Sequence, residues 1–178
     1  GCVFGYTQSD EITLILIDYQ TFETQAWFDY EVQKMCSIAA SMATMVFNKY
    51  FYQEILEWYS KMNPSALADE RAVVAQIQVY KKATEKGAMF DCRAFNIPKE
   101  EVANLIYWRQ LDATRNSIQM VGQANFSHKE LQGKSCENIK EMLAEKDIFY
   151  ENDFPIYLQR GSACRKGEKG WGIDLNMP

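Results

Sequence analysis

The sequence predicts an α+β fold: an antiparallel sheet backed by helices, followed by a helical C-terminal portion. Three observations lead there. Two short runs of β-forming residues, 3–6 and 12–17, flank a polar connection and read as a hairpin. Two stretches, 32–62 and 70–86, repeat apolar residues at helical spacing. Pro98, followed by Lys99, Glu100 and Glu101, opens a further helix that runs to about Gln123, with acidic residues suited to its first turn. At 178 residues and 20.6 kDa the chain has the size of one domain, or of one domain with an appended lobe.

Each element has its own reason. Val3 to Tyr6 is short and apolar, and Thr7 to Glu11 is polar and turn-like. Ile12 to Ile17 is so apolar that it is expected to be covered on both faces. In the first helical stretch Met35, Ile38, Met42 and Met45 share a stripe, and Ser37, Ala39, Ala40, Ser41 and Ala43 let it lie close to a sheet. Ile55, Trp58, Tyr59 and Met62 continue it until Asn63-Pro64-Ser65 breaks it. Val73, Ile77 and Tyr80 mark the next helix, which ends at Gly87. Met89 to Ile97 alternates and reads as a strand, with Phe90, Cys92 and Ala94 on one face and Asp91, Arg93 and Phe95 on the other. In the helix after Pro98, the apolar Val102, Leu105 and Ile106 give way to a polar stripe of Arg109, Asp112, Arg115 and Asn116. Ser135 caps a shorter helix to Lys146. Residues 147–178 read as irregular, ending in a flexible basic tail with Arg160, Arg165, Lys166 and Lys169. The expected division is a region 1–97 and a helical region 98–178.

Composition narrows the classes. With 47% hydrophobic and 24% charged residues, the chain is not disordered throughout, collagenous or a coiled-coil rod. No apolar run reaches the roughly 18–20 residues that cross a bilayer, and no basic-then-apolar leader is visible. The chain opens on Gly1 and runs straight into strand-like sequence, so its beginning is expected to lie elsewhere. Five scattered cysteines without a CxxC pair predict a reduced, cytoplasmic chain, with the cysteines acting as small apolar residues. One histidine and no cysteine pair make zinc a poor match; a metal here would be held by oxygen, hence Mg²⁺ or Mn²⁺. Residues 1–70 carry 3 basic and 10 acidic side chains, and 71–178 carry 16 and 14. A phosphate-bearing partner would therefore meet the second part more readily, although a solvated surface accounts for the same asymmetry.

The sharpest local feature is Ser9-Asp10-Glu11. Two carboxylates in a tight turn between strands repel each other unless something offsets their charge, and a divalent cation is a natural offset. Two such ions about 3.5–4 Å apart can stabilise both oxygens of a phosphoryl displacement. Turns also favour Asp for its local hydrogen bonding, so the spacing alone leaves both readings open. Arg109, Arg115 and Asn116 either reach phosphate or pair internally through Asp112. Asp91 and Arg93 either pair with each other or orient a substrate. His128, beside Lys129, is either a surface histidine or a catalytic one. The methionines and the Trp58/Tyr59 cluster read as core or subunit interface.

Four segments in order sharpen this: Gly5 to Glu11, the Ser/Ala-rich Ser37 to Phe47, Phe90-Asp91-Cys92-Arg93-Ala94-Phe95, and Trp108 to Ser117. With Phe126 to Ser135, the series over residues 5–145 resembles the tRNA-histidine guanylyltransferase family, and most closely its "-like" branch of tRNA 5′-end repair enzymes. The resemblance implies a polymerase-palm-like catalytic region over 1–97. It implies a metal-dependent nucleotidyltransferase that adds GTP to the 5′ end of tRNA in the 3′-5′ direction, after ATP activates the 5′ phosphate. Two Mg²⁺ ions would serve it. By this similarity Asp10 and Glu11 are catalytic and metal-binding, and Ser9 with Asp10 contacts the incoming nucleotide. Arg93, Arg109, Arg115, Asn116, His128 and Lys129 would contact RNA. The partners implied are tRNA and nucleoside triphosphates, in a homo-oligomer that by analogy is a tetramer, with no membrane.

Two departures bear on this. The family's first metal aspartate lies in an Asp-Gly segment that these residues do not contain, so half of a two-metal site is expected here. A His-Ile-Asn-Asn stretch typical of dedicated guanylyl-adding enzymes is replaced by Thr114-Arg115-Asn116-Ser117, where Asn116 alone matches. Two other readings therefore stand beside the first: a non-catalytic RNA-binding or assembly fragment, and a palm-type nucleotide cyclase.

Overall fold

In the computed structural model the described residues are 1–61 and 70–176. They form two compact units, one of residues 1–26 and 96–178, the other of residues 27–95. This grouping joins the N-terminal hairpin to the helix that follows Pro98, unlike a split at 97/98.

The first unit holds a four-stranded antiparallel sheet in the order β2-β1-β3-β4. Its strands are β1 (Cys2–Gln8), β2 (Glu11–Leu16), β3 (Ser162–Gly167) and β4 (Gly170–Asp174). The fold is thus α+β, as expected from the two N-terminal β runs and the helices. Register pairs Tyr6 with Thr13 on one side and with Ala163 on the other. Alternation then puts Tyr6, Gln8 and Ala163 on the face that meets the helices, and all three are buried.

α3 (Val102–Asn125) and α7 (Ile156–Arg160) pack on β1. Ile118 of α3 joins Ile139 and Leu143 of α5 (Cys136–Ala144) and Tyr150 of α6 (Tyr150–Asp153) in a core at the far end of α3. Gly122 lets α3 and α5 approach: a Cβ there would lie 2.8 Å from Ile139 Cγ2. Caps fix the helix starts. Ser127 and Glu130 form a reciprocal capping box on α4 (His128–Leu131), and Ser135 and Asn138 form another on α5. The cap on α5 is the one expected at Ser135.

In the second unit α1 (Val32–Lys61) is a continuous 30-residue helix and α2 (Glu70–Lys86) ends at Gly87, whose φ is +67°. Both helices lie where the periodicity placed them. Asn63-Pro64-Ser65, expected to break the first helix, falls outside the described residues.

Three expectations are corrected. Residues 89–97 form no strand. The start of this stretch is held by α1, where Asn48 Oδ1 accepts from Ala88 N at 2.8 Å and Thr44 Oγ1 from Phe90 N at 3.1 Å. Side chains of a helix take those amides, and no described strand pairs with the segment. Ile12 and Leu14 are not covered on both sides. β2 is an outer strand, and their face, opposite Tyr6, leaves them 50% and 52% exposed. The basic tail is not a tail: residues 162–174 are β3 and β4, because β3 pairs with β1 from Ser162 to Arg165. Two short helices, α6 and α7, also order the stretch read as irregular.

Candidate active site: the acidic hairpin

β1 and β2 close through a two-residue loop, Ser9–Asp10, since Gln8 and Glu11 still pair in the ladder. The polar connection is therefore shorter than its composition suggested. Ser9 takes φ +47°, the left-handed region that two-residue hairpin loops require. Thr7 Oγ1 donates to Glu11 O at 3.1 Å and closes the loop from below.

The two carboxylates then part. Asp10 is exposed at the tip and makes no hydrogen bond or ion pair among the described residues. Glu11, first in β2, turns to α3. Its Oε2 accepts from Arg109 Nη1 at 2.6 Å and from Gln8 Nε2 at 2.9 Å. Arg109 is held by Glu11 across 98 positions of sequence. Both partners keep substantial exposure, so the pair contributes roughly 0.2–1 kcal/mol to stability and serves chiefly to fix direction.

Beneath this pair the sheet is polar and closed. Gln8 is 5% exposed, and its Oε1 meets no donor. Tyr6 is 2% exposed and its hydroxyl donates to the carbonyl of Arg160. Burial pushes the Tyr6 hydroxyl up to about 12, with Glu11 adding to the rise and Arg109 opposing it. Neither residue stood out in the sequence; strand alternation is the only signal that places them beside Glu11.

The other expected residues are not gathered here. Arg115 Nη2 donates to Asp112 Oδ1 at 2.8 Å and Asn116 Nδ2 to Asp112 Oδ2 at 3.3 Å, so the polar stripe of α3 pairs internally beyond Arg109. Arg93 pairs with Asp91 at 3.3 Å in the second unit. His128 and Lys129 are exposed in the first turn of α4.

As a cation site the loop is incomplete. Among the described residues no three His, Cys, Asp or Glu side chains cluster to hold a metal. Asp10 offers a free carboxylate, whereas the Oε2 of Glu11 is occupied by two donors. These residues do not make a two-ion site by themselves.

Fold and loop together define an α+β protein whose antiparallel sheet carries an acidic hairpin tip. The family model for Thg1, tRNAHis guanylyltransferase, matches residues 1–98. The chain is similar to a bacterial tRNA(His) guanylyltransferase (Thg1)-like protein in complex with ATP, at 37% identity and TM-score 0.76, covering 100% of this chain and 66% of that one. It is also similar to a bacterial Thg1-like protein in complex with GTP, at 31% identity and TM-score 0.63, covering 100% and 62%. An uncharacterized protein of Acanthamoeba polyphaga mimivirus is 24% identical over 176 residues, 93% of this chain and 56% of that protein. The chain belongs to the tRNAHis guanylyltransferase family, in its Thg1-like branch. It spans less than two thirds of the length of the relatives it matches.

Proposed function

We propose that this chain is the core of a nucleotidyltransferase that adds a guanylyl nucleotide to the 5′ end of tRNA in the 3′-5′ direction, with ATP and GTP as its nucleotides. The observation that carries this reading is the hairpin itself: a free carboxylate on a strained two-residue loop, steadied by an arginine on a packed helix, in a member of this family. Transfer of this kind asks the protein mainly for positioning and charge. Asp10 is the loop's available oxygen ligand for a divalent cation. Such a cation, when bound, supplies charge neutralisation at the phosphates. Ser9 presents its hydroxyl beside Asp10 for the incoming nucleotide. Glu11 and Arg109 hold the loop against α3. No helix among the described residues is long and apolar enough to cross a membrane, and we place the reaction in the cytoplasm. Half-exposed apolar residues along α1 (Met42, Met45, Leu56) suit a homo-oligomer.

The test is incubation with monophosphorylated and triphosphorylated tRNA, labelled GTP and Mg²⁺. Label on the tRNA 5′ end supports the proposal. Tight tRNA binding without label would make the chain an RNA-binding module, and a labelled small product without RNA would make it a cyclase. Asp10→Ala should lower transfer at least ~100-fold while leaving the melting temperature within about a degree or two, because Asp10 has no hydrogen-bond or ion-pair partner among the described residues. Full activity in that variant would remove Asp10 from the site.

A further inference from the structure

The β3–β4 hairpin carries more than its fold needs. β1 pairs with β3 only as far as Arg165, so the tip from Lys166 to Trp171 is held by β3–β4 pairing alone. Arg165, Lys166 and Lys169 make no ion pair or side-chain hydrogen bond among the described residues. Other surface lysines, such as Lys82 and Lys129, are also unpaired among the described residues; the tip's cations are set apart by an exposed tryptophan on the same short hairpin. Glu168 is the single acid at the tip.

Lys166 and Trp171 are register partners, so their side chains stand together on one face. Trp171 is 50% exposed. It is flanked by Gly170 and Gly172, and Gly167 lies across from Gly170. Gly170 is required by its φ of +111°. The other two are not required. A Cβ on Gly172 would meet nothing within 4 Å, and one on Gly167 only Gly170 O at 3.7 Å. Glycine inside a strand weakens it; at Gly167 and Gly172 it leaves the backbone beside Trp171 bare and open to close approach.

We propose that this tip is an RNA-contact surface that stacks an unpaired nucleotide on Trp171 and holds the adjoining phosphates on Lys166 and Lys169. The chemistry is that of single-strand recognition: an exposed aromatic face, cations without internal partners, and bare backbone around both. This deepens the proposed function and rests on its RNA substrate. Such a surface would take the single-stranded end of the tRNA.

The experiment is fluorescence anisotropy of a labelled oligouridylate and of a tRNA transcript, titrated with the 178-residue chain over a salt series. Trp171→Ala should weaken binding about tenfold, with Trp171→Phe close to wild type. The double variant Lys166→Gln/Lys169→Gln should lower the log–log salt slope by about 1.4, roughly 0.7 for each phosphate that is no longer neutralised. Circular dichroism and a melting curve accompany each variant. Should Trp171→Ala unfold the hairpin, the lysine variant decides, because both side chains project into solvent. Unchanged affinity and slope in the folded lysine variant overturn the surface, as does a wild-type chain that binds anionic vesicles and no oligonucleotide. The transferase reading is scored apart. A chain that binds through the tip but labels no tRNA keeps the surface and refutes the activity. A chain that labels tRNA with an unaltered KM in the lysine variant keeps the activity and refutes the surface.

Discussion

At the residue scale, Asp10 and Glu11 are neighbours in sequence with opposite environments. The sequence marked both as acidic turn residues, and it had no means of separating them. Arg109, 98 positions away, does so. A double-mutant cycle of Glu11→Gln and Arg109→Ala, followed by urea unfolding, should return a coupling of roughly 0.2–1 kcal/mol. A coupling of zero would mean the two side chains do not meet in solution. Tyr6 makes a second prediction. Its hydroxyl ordinarily titrates at 10.0 and is pushed up to about 12 by burial. The unfolded chain therefore releases this proton first, so the folded state is favoured fully below pH 10 and loses that advantage as pH rises towards 12. Stability measured from about pH 9 to 12 should fall less steeply in Tyr6→Phe than in wild type.

At the scale of elements, the helices were legible and the C-terminal strands were not. Periodicity over ten or more residues places α2 and α3, whereas the apolar residues of α1 spread round the helix, none of them buried, and its length and helix-forming composition mark it. β3 and β4 are 6 and 5 residues long, and β4 is exposed throughout. Cations and glycines hide them, and only pairing with β1 makes them strands. Residues 89–97 show the reverse case, an alternating pattern with no strand beside it. Gly161, between α7 and β3, joins these elements. Its φ is +81°, and a Cβ there would sit 2.5 Å from Thr7 O and 2.6 Å from the Tyr6 hydroxyl. Gly161→Ala should destabilise the first unit by roughly 3 kcal/mol, through both strain and overlap. An unfolding midpoint equal to wild type would show that β1 and α7 are not so closely joined.

For the whole molecule, burial is uneven. Among the described residues the buried hydrophobic side chains all lie in the first unit, and α1 has none across 30 residues. Opening free energy follows buried apolar contact. Hydrogen exchange should therefore be slowest in α3 and α5, around Ile118, Ile139 and Leu143, and faster along α1. Equal protection in α1 at low protein concentration would contradict this.

The middle of the sheet joins β1 to β3, residues that lie more than 150 positions apart. A ribosome delivers Tyr6 long before Ala163. Until the later strand leaves the exit tunnel, β1 has one open side, Tyr6 has no Arg160 carbonyl to bind, and the nascent loop bearing Asp10 swings freely. Pairing of β1 with β3 is therefore a late event in this stretch of chain, and the hairpin that bears Asp10 gains its second neighbour only when residues 162–165 arrive.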